Sequence, residues 1–461
     1  MSRRGEHAVV LGASMAGLMA ARVLTEFYDR VSVVERDGLD DSAEPRRGVP
    51  QSRQPHALLA RCGQILDELF PGITDEMIAE GVHRWSDGDL SRFYGIFAGH
   101  QIIREGHLPD PGSVVNLYTS RALLECHVRR RVRSLPTVTL LDGRDLDALT
   151  FGSGGSGAVN GVRVTHRAAQ QTSDVRADLV VDATGRGSRT PTFLAEAGFP
   201  VPSEDRLPVD VCYASMPVRI ADGLLREYAL FDLFAPGKPR GYAMFRCEHD
   251  SWILGIGTLG RDIKPPVSAA QLLQCAREMM PAHASAALAS AEPLADVALH
   301  RFPASRWRRY DKLRRSPGRL LVVGDAVCSF NPIYGQGMTV AAIEAMTLRA
   351  CLAHGGDNLV RRFHRAAAKP VRIAWQTAVG SDLALPEVAG RRTVSMRATN
   401  AYVDRVLRAS ETDPWITQEF LQVTGMLQPP GRLLRPAVLR RVLRPVPRRQ
   451  AASRVDLTAT A

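Results

Sequence analysis

Short apolar runs that end at glycine recur along the chain. Ala8-Val-Val-Leu11 leads into Gly12-Ala-Ser-Met-Ala-Gly17, Leu179-Val-Val-Asp182 into Ala-Thr-Gly185, and Leu320-Leu-Val-Val323 into Gly324-Asp325. Uninterrupted runs of this length bounded by glycine predict buried strands followed by tight turns. Between the first run and Val31-Ser-Val-Val34, residues Leu18 to Phe27 carry apolar positions at helical spacing, so the chain opens as strand, turn, helix, strand.

Elsewhere the period changes. Residues 92–115 alternate in short segments, Phe93–Phe97 and Gln101–Ile103, which predict antiparallel strands inserted into the first unit. Asp210–Met216, Tyr228–Phe234, Gly241–Cys247 and Ser251–Leu259 predict a sheet, its last two strands joined by a turn at Glu248–Asp250. Val138–Leu141 and Gly161–Val164 flank a Gly/Ser loop, Phe151–Gly157, that reads as a hairpin tip. Helical spacing marks Ala57–Leu69, the stretch from Thr119, and Ser268–Met280; beyond Ala350 the chain is mostly helical, with Pro370, Pro386, Pro429-Pro430 and Pro436 as breaks. The expected fold class is α/β: a Rossmann-like dinucleotide-binding domain built from residues 1–91, 116–200 and 294–350. A substrate domain of antiparallel sheet (92–115 and 201–293) is inserted into it, and a helical region (351–461) follows.

Composition narrows the possibilities. The 461 residues are 45% hydrophobic and 23% charged, a globular balance. The net charge of +11 is almost all arginine, since Lys238, Lys264, Lys312 and Lys369 are the lysines, and no basic run is interleaved with aromatics as a base-stacking surface requires. Nucleic acid is therefore not an expected partner. The arginine-rich stretch 432–449 holds no acid and reads as a solvated basic helix, with docking of an acidic carrier protein or a membrane surface as the alternative. The seven cysteines are scattered, without Cys-x-x-Cys or paired histidines at metal spacing, so no metal site is expected. No apolar run approaches the roughly 20 residues of a membrane span, and a cytoplasmic location without membrane insertion is expected.

The glycine turns carry the candidate chemistry. A strand, Gly12, Ala13, Ser14, Ala16, Gly17 and a helix, with Glu35-Arg36 closing the next strand, form a dinucleotide-binding start: pyrophosphate on the helix N-terminus, ribose hydroxyls on Glu35. Ser14 stands where a second glycine is usual and brings a hydroxyl. Gly324-Asp325, then Asn331-Pro332, Gly335, Gly337 and a helix from about Met338, offer a carboxylate, backbone N–H groups and a positive helix end to one flat polar ligand. FAD is the ligand expected there: Asp325 would accept from a ribityl hydroxyl, and the helix start would face the N1/C2 edge of the ring. Asp182 with Gly185 is the third such strand end, and three of them suggest one long ligand. Arg46-Arg47 on a Gly/Pro loop could cover its phosphates or ring edge, or remain solvated; Arg121, at a helix start, could also reach it. His56 reads as a loop hydrogen bonder. Phe231, Phe234, Tyr242, Phe245 and Trp252 are candidate lining residues of a substrate cavity, though a core role suits each of them too.

These motifs in this order resemble the FAD-dependent monooxygenases related to para-hydroxybenzoate hydroxylase. The chain looks most like the bacterial flavin epoxidases and hydroxylases of antibiotic biosynthesis, including the polyether epoxidases. That nearer likeness lies in Arg46-Arg-Gly-Val-Pro-Gln-Ser-Arg-Gln-Pro-His56, Asn331-Pro-Ile-Tyr-Gly-Gln-Gly-Met338 and Pro429-Pro-Gly-Arg-Leu-Leu-Arg-Pro436. It implies FAD phosphate or ring contacts for Arg46 and Arg121, and the isoalloxazine edge for Pro332, Gly337 and Met338. It also implies insertion of one atom of O₂ into a natural-product intermediate through a flavin C4a-hydroperoxide, by olefin epoxidation or by aromatic or indole hydroxylation. The small-molecule substrate could arrive tethered to a carrier protein. Electrons would come from NAD(P)H, directly or through a separate reductase, because Asp182-Ala-Thr-Gly185 matches the motif linked to NADPH only in part. A halogenase would be expected to carry Trp-x-Trp-x-Ile-Pro, which Trp252-Ile-Leu-Gly-Ile-Gly257 lacks. A flavin reductase of isoprenoid double bonds and a non-catalytic flavin-binding protein are the remaining alternatives.

Overall fold

The computed structural model describes residues 3–152 and 157–444; most of the Gly/Ser hairpin tip and the end of the arginine-rich stretch lie outside them. The three glycine-ended strands assemble with Tyr28–Val34 and Val138–Leu141 into one parallel sheet, in the order Leu320–Val322, Leu179–Asp182, Gly5–Leu11, Tyr28–Val34, Val138–Leu141. The helices Met15–Leu24, Arg121–Arg133 and Gly337–His354 cover one face, and their apolar sides share a core with Val10, Val31, Val33, Val181 and Leu321. A three-stranded antiparallel sheet, Arg144–Phe151, Val159–His166 and Gln171–Arg176, lies against the other face through Leu149, Val162 and Val164. The partner of Val159–His166 is thus Arg144–Phe151 and not Val138–Leu141, which is the edge of the parallel sheet.

The second large sheet runs Cys328–Ser329, Ala298–Arg308, Glu204–Arg219, Ser251–Leu259, Arg240–Arg246, Ala229–Asp232, Phe93–Phe97, His100–Gln101. It extends past residue 293 to take in Ala298–Arg308 and Cys328–Ser329. Phe93–Phe97 joins it by pairing parallel to Ala229–Asp232, and only the His100–Gln101 pairing is antiparallel within the inserted segment. The helices Ala269–Met279 and Ala282–Ala289 pack on one face over Met216, Tyr242, Met244, Trp252 and Ile256. On the other face Phe93, Phe231 and Phe420 form a core with the helices Val394–Ser410 and Pro414–Thr424. Pro370 does not break its helix: Leu359–Asp382 runs through it for 24 residues. From this helix His364, buried, lies 3.4 Å from the N–H of Val322 on the sheet's edge strand.

Candidate functional site

Parallel register brings the strand ends together. Leu11 is opposite Asp182, and Asp182 is opposite Val322, so the three glycine turns leave the same edge of the sheet side by side. The first turn is tighter than its spacing suggests, because the helix begins at Met15 rather than Leu18. Gly12 has φ +98°, and a Cβ there would meet the carbonyl oxygen of Ala183 at 2.6 Å; one on Gly17 would sit 1.9 Å from the carbonyl oxygen of Gly12. Only glycine permits this approach of helix to strand. Ser14 occupies the N-cap, yet its hydroxyl makes no bond to the helix backbone. It receives a hydrogen bond from Arg121 (3.0 Å) and donates to Glu125 (2.9 Å), leaving the positive helix end without a side-chain cap.

Around this turn the charges are arranged in pairs. Glu35, buried, accepts from the backbone N–H groups of Ala13 (2.7 Å), Arg36 (2.8 Å) and Asp37 (3.1 Å). The side chain of Arg36 is exposed. Arg46 donates to the carbonyl of Ala13 (3.0 Å) and through Nε to Glu125 (3.0 Å), with Asp37 and Glu35 within 3.6 Å. These three carboxylates, Glu125 foremost, outweigh the effect of burial and hold the guanidinium above its ordinary pKa. Glu125 was not evident from sequence, since it sits in a helix whose pattern gives it no distinction from its neighbours.

Asp182 and Asp325 hold similar positions but differ in availability. Asp182 is fully buried and accepts from Thr184 N and Oγ1 (2.8 and 2.6 Å), Ser188 Oγ (2.5 Å) and Thr190 Oγ1 (2.6 Å). Its carboxylate is engaged in shaping its own turn, in which Gly185 has φ +73°, so the expected ligand contact for Asp182 is corrected to a structural role. Asp325 lies deep in the protein but keeps part of its surface uncovered. Its neighbour is Gln51 Nε2, at 3.4 Å. Burial pushes its carboxyl above the usual range, against the opposing pull of Arg186 and Arg121. Behind it Glu344, 1% exposed, accepts from the N–H of Gly324 (2.7 Å), and burial raises its pKa to about 8.

The turn after Asp325 is capped by Asn331, whose side chain accepts from the N–H of Ile333 (3.3 Å) at the start of the 3₁₀ turn Pro332–Tyr334. Gly335 follows with φ +67°, and the helix Gly337–His354 begins without a side-chain cap. A Cβ at Gly337 would meet nothing within 4 Å, so the space before the helix start is open; Pro332 is half-buried and Met338 buried. Asn331 accepts from Tyr213 Oη and donates to Asp382 Oδ1 (2.9 Å), which also accepts from Tyr334 Oη (2.8 Å). Asp382 is fully buried, and its carboxyl is pushed up to about 6 by that burial.

Tyr213 marks the face of the large sheet turned toward these loops. On the same face, Ser215 donates to the carbonyl of Arg53 (2.7 Å), a Cβ on Gly255 would meet Pro55 at 2.7 Å, and His300 is paired opposite Tyr213. Phe234 shares this side, 3.0 Å from a Cβ built at Gly257. Phe231 and Phe245 lie farther along it, in an edge-to-face aromatic group with Phe93 and Phe97. Tyr242 and Trp252, expected to line the cavity, instead lie on the opposite face under the helices Ala269–Met279 and Ala282–Ala289 and are core residues. Alternation along a strand separates its two faces but does not say which one is the cavity side. His300 and His56 complete the group: burial and nearby Arg186 lower the pKa of His300, and burial with Arg121 takes His56 to about 3, so His56 is neutral at pH 7.

Arg121 Nε, Gln336 Oε1, Thr339 Oγ1 and His300 Nε2 are buried without a hydrogen-bond partner, and Gly185, Gly187 and Gly337 border open space. Uncapped helix ends, free polar atoms and left-handed glycines fit one long ligand with phosphates, hydroxyls and a flat ring. Among the described residues no group of His, Cys, Asp and Glu could hold a metal ion, and no helix is long and apolar enough to cross a membrane.

Comparison with known proteins agrees with this geometry. The family model described as FAD binding domain matches residues 6–377. Protein Rv3254 of Mycobacterium tuberculosis is 38% identical over 433 residues, covering 92% of this chain and 90% of that protein. Kynurenine 3-monooxygenase of Salinispora arenicola is 26% identical over 476 residues, covering 90% and 92%. The crystal structure of p-nitrophenol 4-monooxygenase PnpA from Pseudomonas putida superposes with a TM-score of 0.64 at 16% identity, covering 91% of this chain and 97% of that one.

Proposed function

The chain belongs to the FAD binding domain family, and from that premise we propose that it is a FAD-dependent monooxygenase that hydroxylates an aromatic ring in a natural-product intermediate. The observation that carries the reading is the register of the parallel sheet, which sets the Gly12–Gly17 turn and Asp325 at the same edge, on strands either side of Leu179–Asp182. The uncapped helix at Met15 would take the pyrophosphate and Glu35 the ribose. Arg121 would reach phosphate or ring edge, as would Arg46 if it shares its bond with Glu125. Asp325 would accept from a ribityl hydroxyl, and Pro332, Gly335, Gly337 and Met338 would border the ring. Bound flavin supplies the redox chemistry with O₂. The protein's own tasks are to hold the substrate over the ring and exclude water, and the large sheet's Tyr213 face is the wall suited to both.

Hydroxylation is preferred to olefin epoxidation on one observation. A phenol or indole must give up a proton as oxygen is added, and this face offers His300, whose burial favours the neutral imidazole and whose Nε2 has no partner. Epoxidation needs no such acceptor. We further propose NAD(P)H as the electron source, directly or through a separate reductase, and a substrate that is free or carrier-tethered. Turnover under ¹⁸O₂ with FAD, NAD(P)H and a panel of phenols, indoles and polyenes tests the reading. A single labelled oxygen on a ring carbon supports it, and one on an epoxide moves the assignment to epoxidation. A saturated, unlabelled product identifies a double-bond reductase; no turnover across the panel despite bound flavin would favour a non-catalytic role.

A further inference from the structure

We propose that Asp382, the last residue of the helix Leu359–Asp382, is a positioning residue for the flavin-facing turn, acting through Asn331. The inference rests on the reading that the turn Asn331–Gly337 borders FAD. Asp382 lies beyond the span 6–377 matched by the family model, and none of the sequence motifs includes it.

The chain of cause is geometric. An amide side chain has a donor end and an acceptor end, and Asn331 is fully buried, so the groups around it decide which end points where. Asp382 Oδ1 can only accept when ionised, and it takes the amide N–H of Asn331 at 2.9 Å. Asn331 Oδ1 must then face the other way, where it meets Tyr213 Oη and the N–H of Ile333. The second of these bonds caps the turn Pro332–Tyr334, and Tyr334 Oη returns to Asp382 at 2.8 Å. Without Asp382 the N–H of Ile333 alone still selects the amide's orientation, since the Tyr213 hydroxyl can donate or accept; the cap on Ile333 is held less firmly, and with it the path to Gly335 and Gly337. The titratable groups facing Asp382 are Tyr213 and Tyr334, both held protonated well above their usual range by burial, with the Asp382 charge adding to it.

The test uses full-length protein and reads FAD binding by fluorescence titration, with the visible spectrum of the bound flavin as a second readout; neither requires turnover. Asp382→Asn keeps an acceptor oxygen toward Asn331 and should bind FAD like the parent, with the parent's spectrum. Asp382→Leu removes the acceptor and should weaken binding roughly 10- to 100-fold, the effect of one buried hydrogen bond to a charged group, and shift the spectrum. Asn331→Ala should cause a similar loss, and the double variant no more than either single one, because both act on the same turn. Additive losses, or an Asp382→Leu protein with the parent's affinity and spectrum, would overturn the proposal. Should Asp382→Leu fail to fold, Asn331→Asp carries the test: it sets two carboxylates against each other and predicts the same loss, and unchanged affinity would overturn the proposal. If the parent itself binds no FAD, it is the functional reading that fails and not the role of Asp382 within the turn.

Discussion

Gly324 lies against Ala16 so closely that a Cβ on Gly324 would come within 2.9 Å of the Ala16 methyl. The Gly-Asp motif and the helix that begins in the Gly12–Gly17 turn, more than 300 residues apart in sequence, are thus one packed unit. The φ of +62° at Gly324 adds strain to any side chain placed there. Gly324→Ala is expected to lower stability by about 2 kcal/mol or more, read as a shift in urea midpoint at constant slope.

Asp325→Ala should separate binding from folding. Burial makes the carboxylate costly in the protein without cofactor, so the substitution is expected to leave the melting temperature of the cofactor-free protein unchanged or raised. FAD affinity should fall by about 1.5 to 3 kcal/mol, or roughly 10- to 100-fold in Kd, by fluorescence titration.

Ser14 is joined to two members of the charge cluster around the Gly12–Gly17 turn, Arg121 and Glu125. Ser14→Ala removes two charge-assisted hydrogen bonds and should cost about 1 to 3 kcal/mol in chemical denaturation. Ser14→Gly removes the same two bonds, so it should be destabilised to a comparable extent.

Glu344 predicts a pH dependence. Its pKa is raised to about 8 in the folded protein from an ordinary value of 4.5. Between those values the folded state holds a proton that the unfolded state has released, so this group's contribution to stability is full below about pH 4.5 and declines as pH rises toward 8. The slope is on the order of 1.4 kcal/mol per pH unit. Glu344→Gln should flatten stability against pH across that window, measured by denaturation at each pH in the absence of cofactor; an unchanged slope would mean that Glu344 is ionised in the fold.

Much of the frame was legible in the sequence because local rules agree there. Glycine-ended apolar runs made the parallel strands, and Ser251–Leu259 forms a strand over its whole expected length. The misses have physical causes. The helix at Met15 starts early because Gly17 serves close packing inside it and does not end the turn. Arg144–Phe151 escaped notice because it is mostly half-buried and carries charges at three of its eight positions. Asp182 and Asp325 look alike in sequence, and only the hydroxyls folded around Asp182 distinguish an engaged carboxylate from an available one. Tyr213, Asn331 and Asp382 are brought together by tertiary packing alone.

FAD as the ligand of the sheet edge that carries Glu35 and Asp325 is the claim on which the rest depends. Titrating FAD into the purified protein while following flavin fluorescence and visible absorbance tests this directly. The expected result is saturable binding of one FAD per chain with a perturbed flavin spectrum. A protein that leaves the fluorescence and spectrum of added FAD unchanged would contradict it.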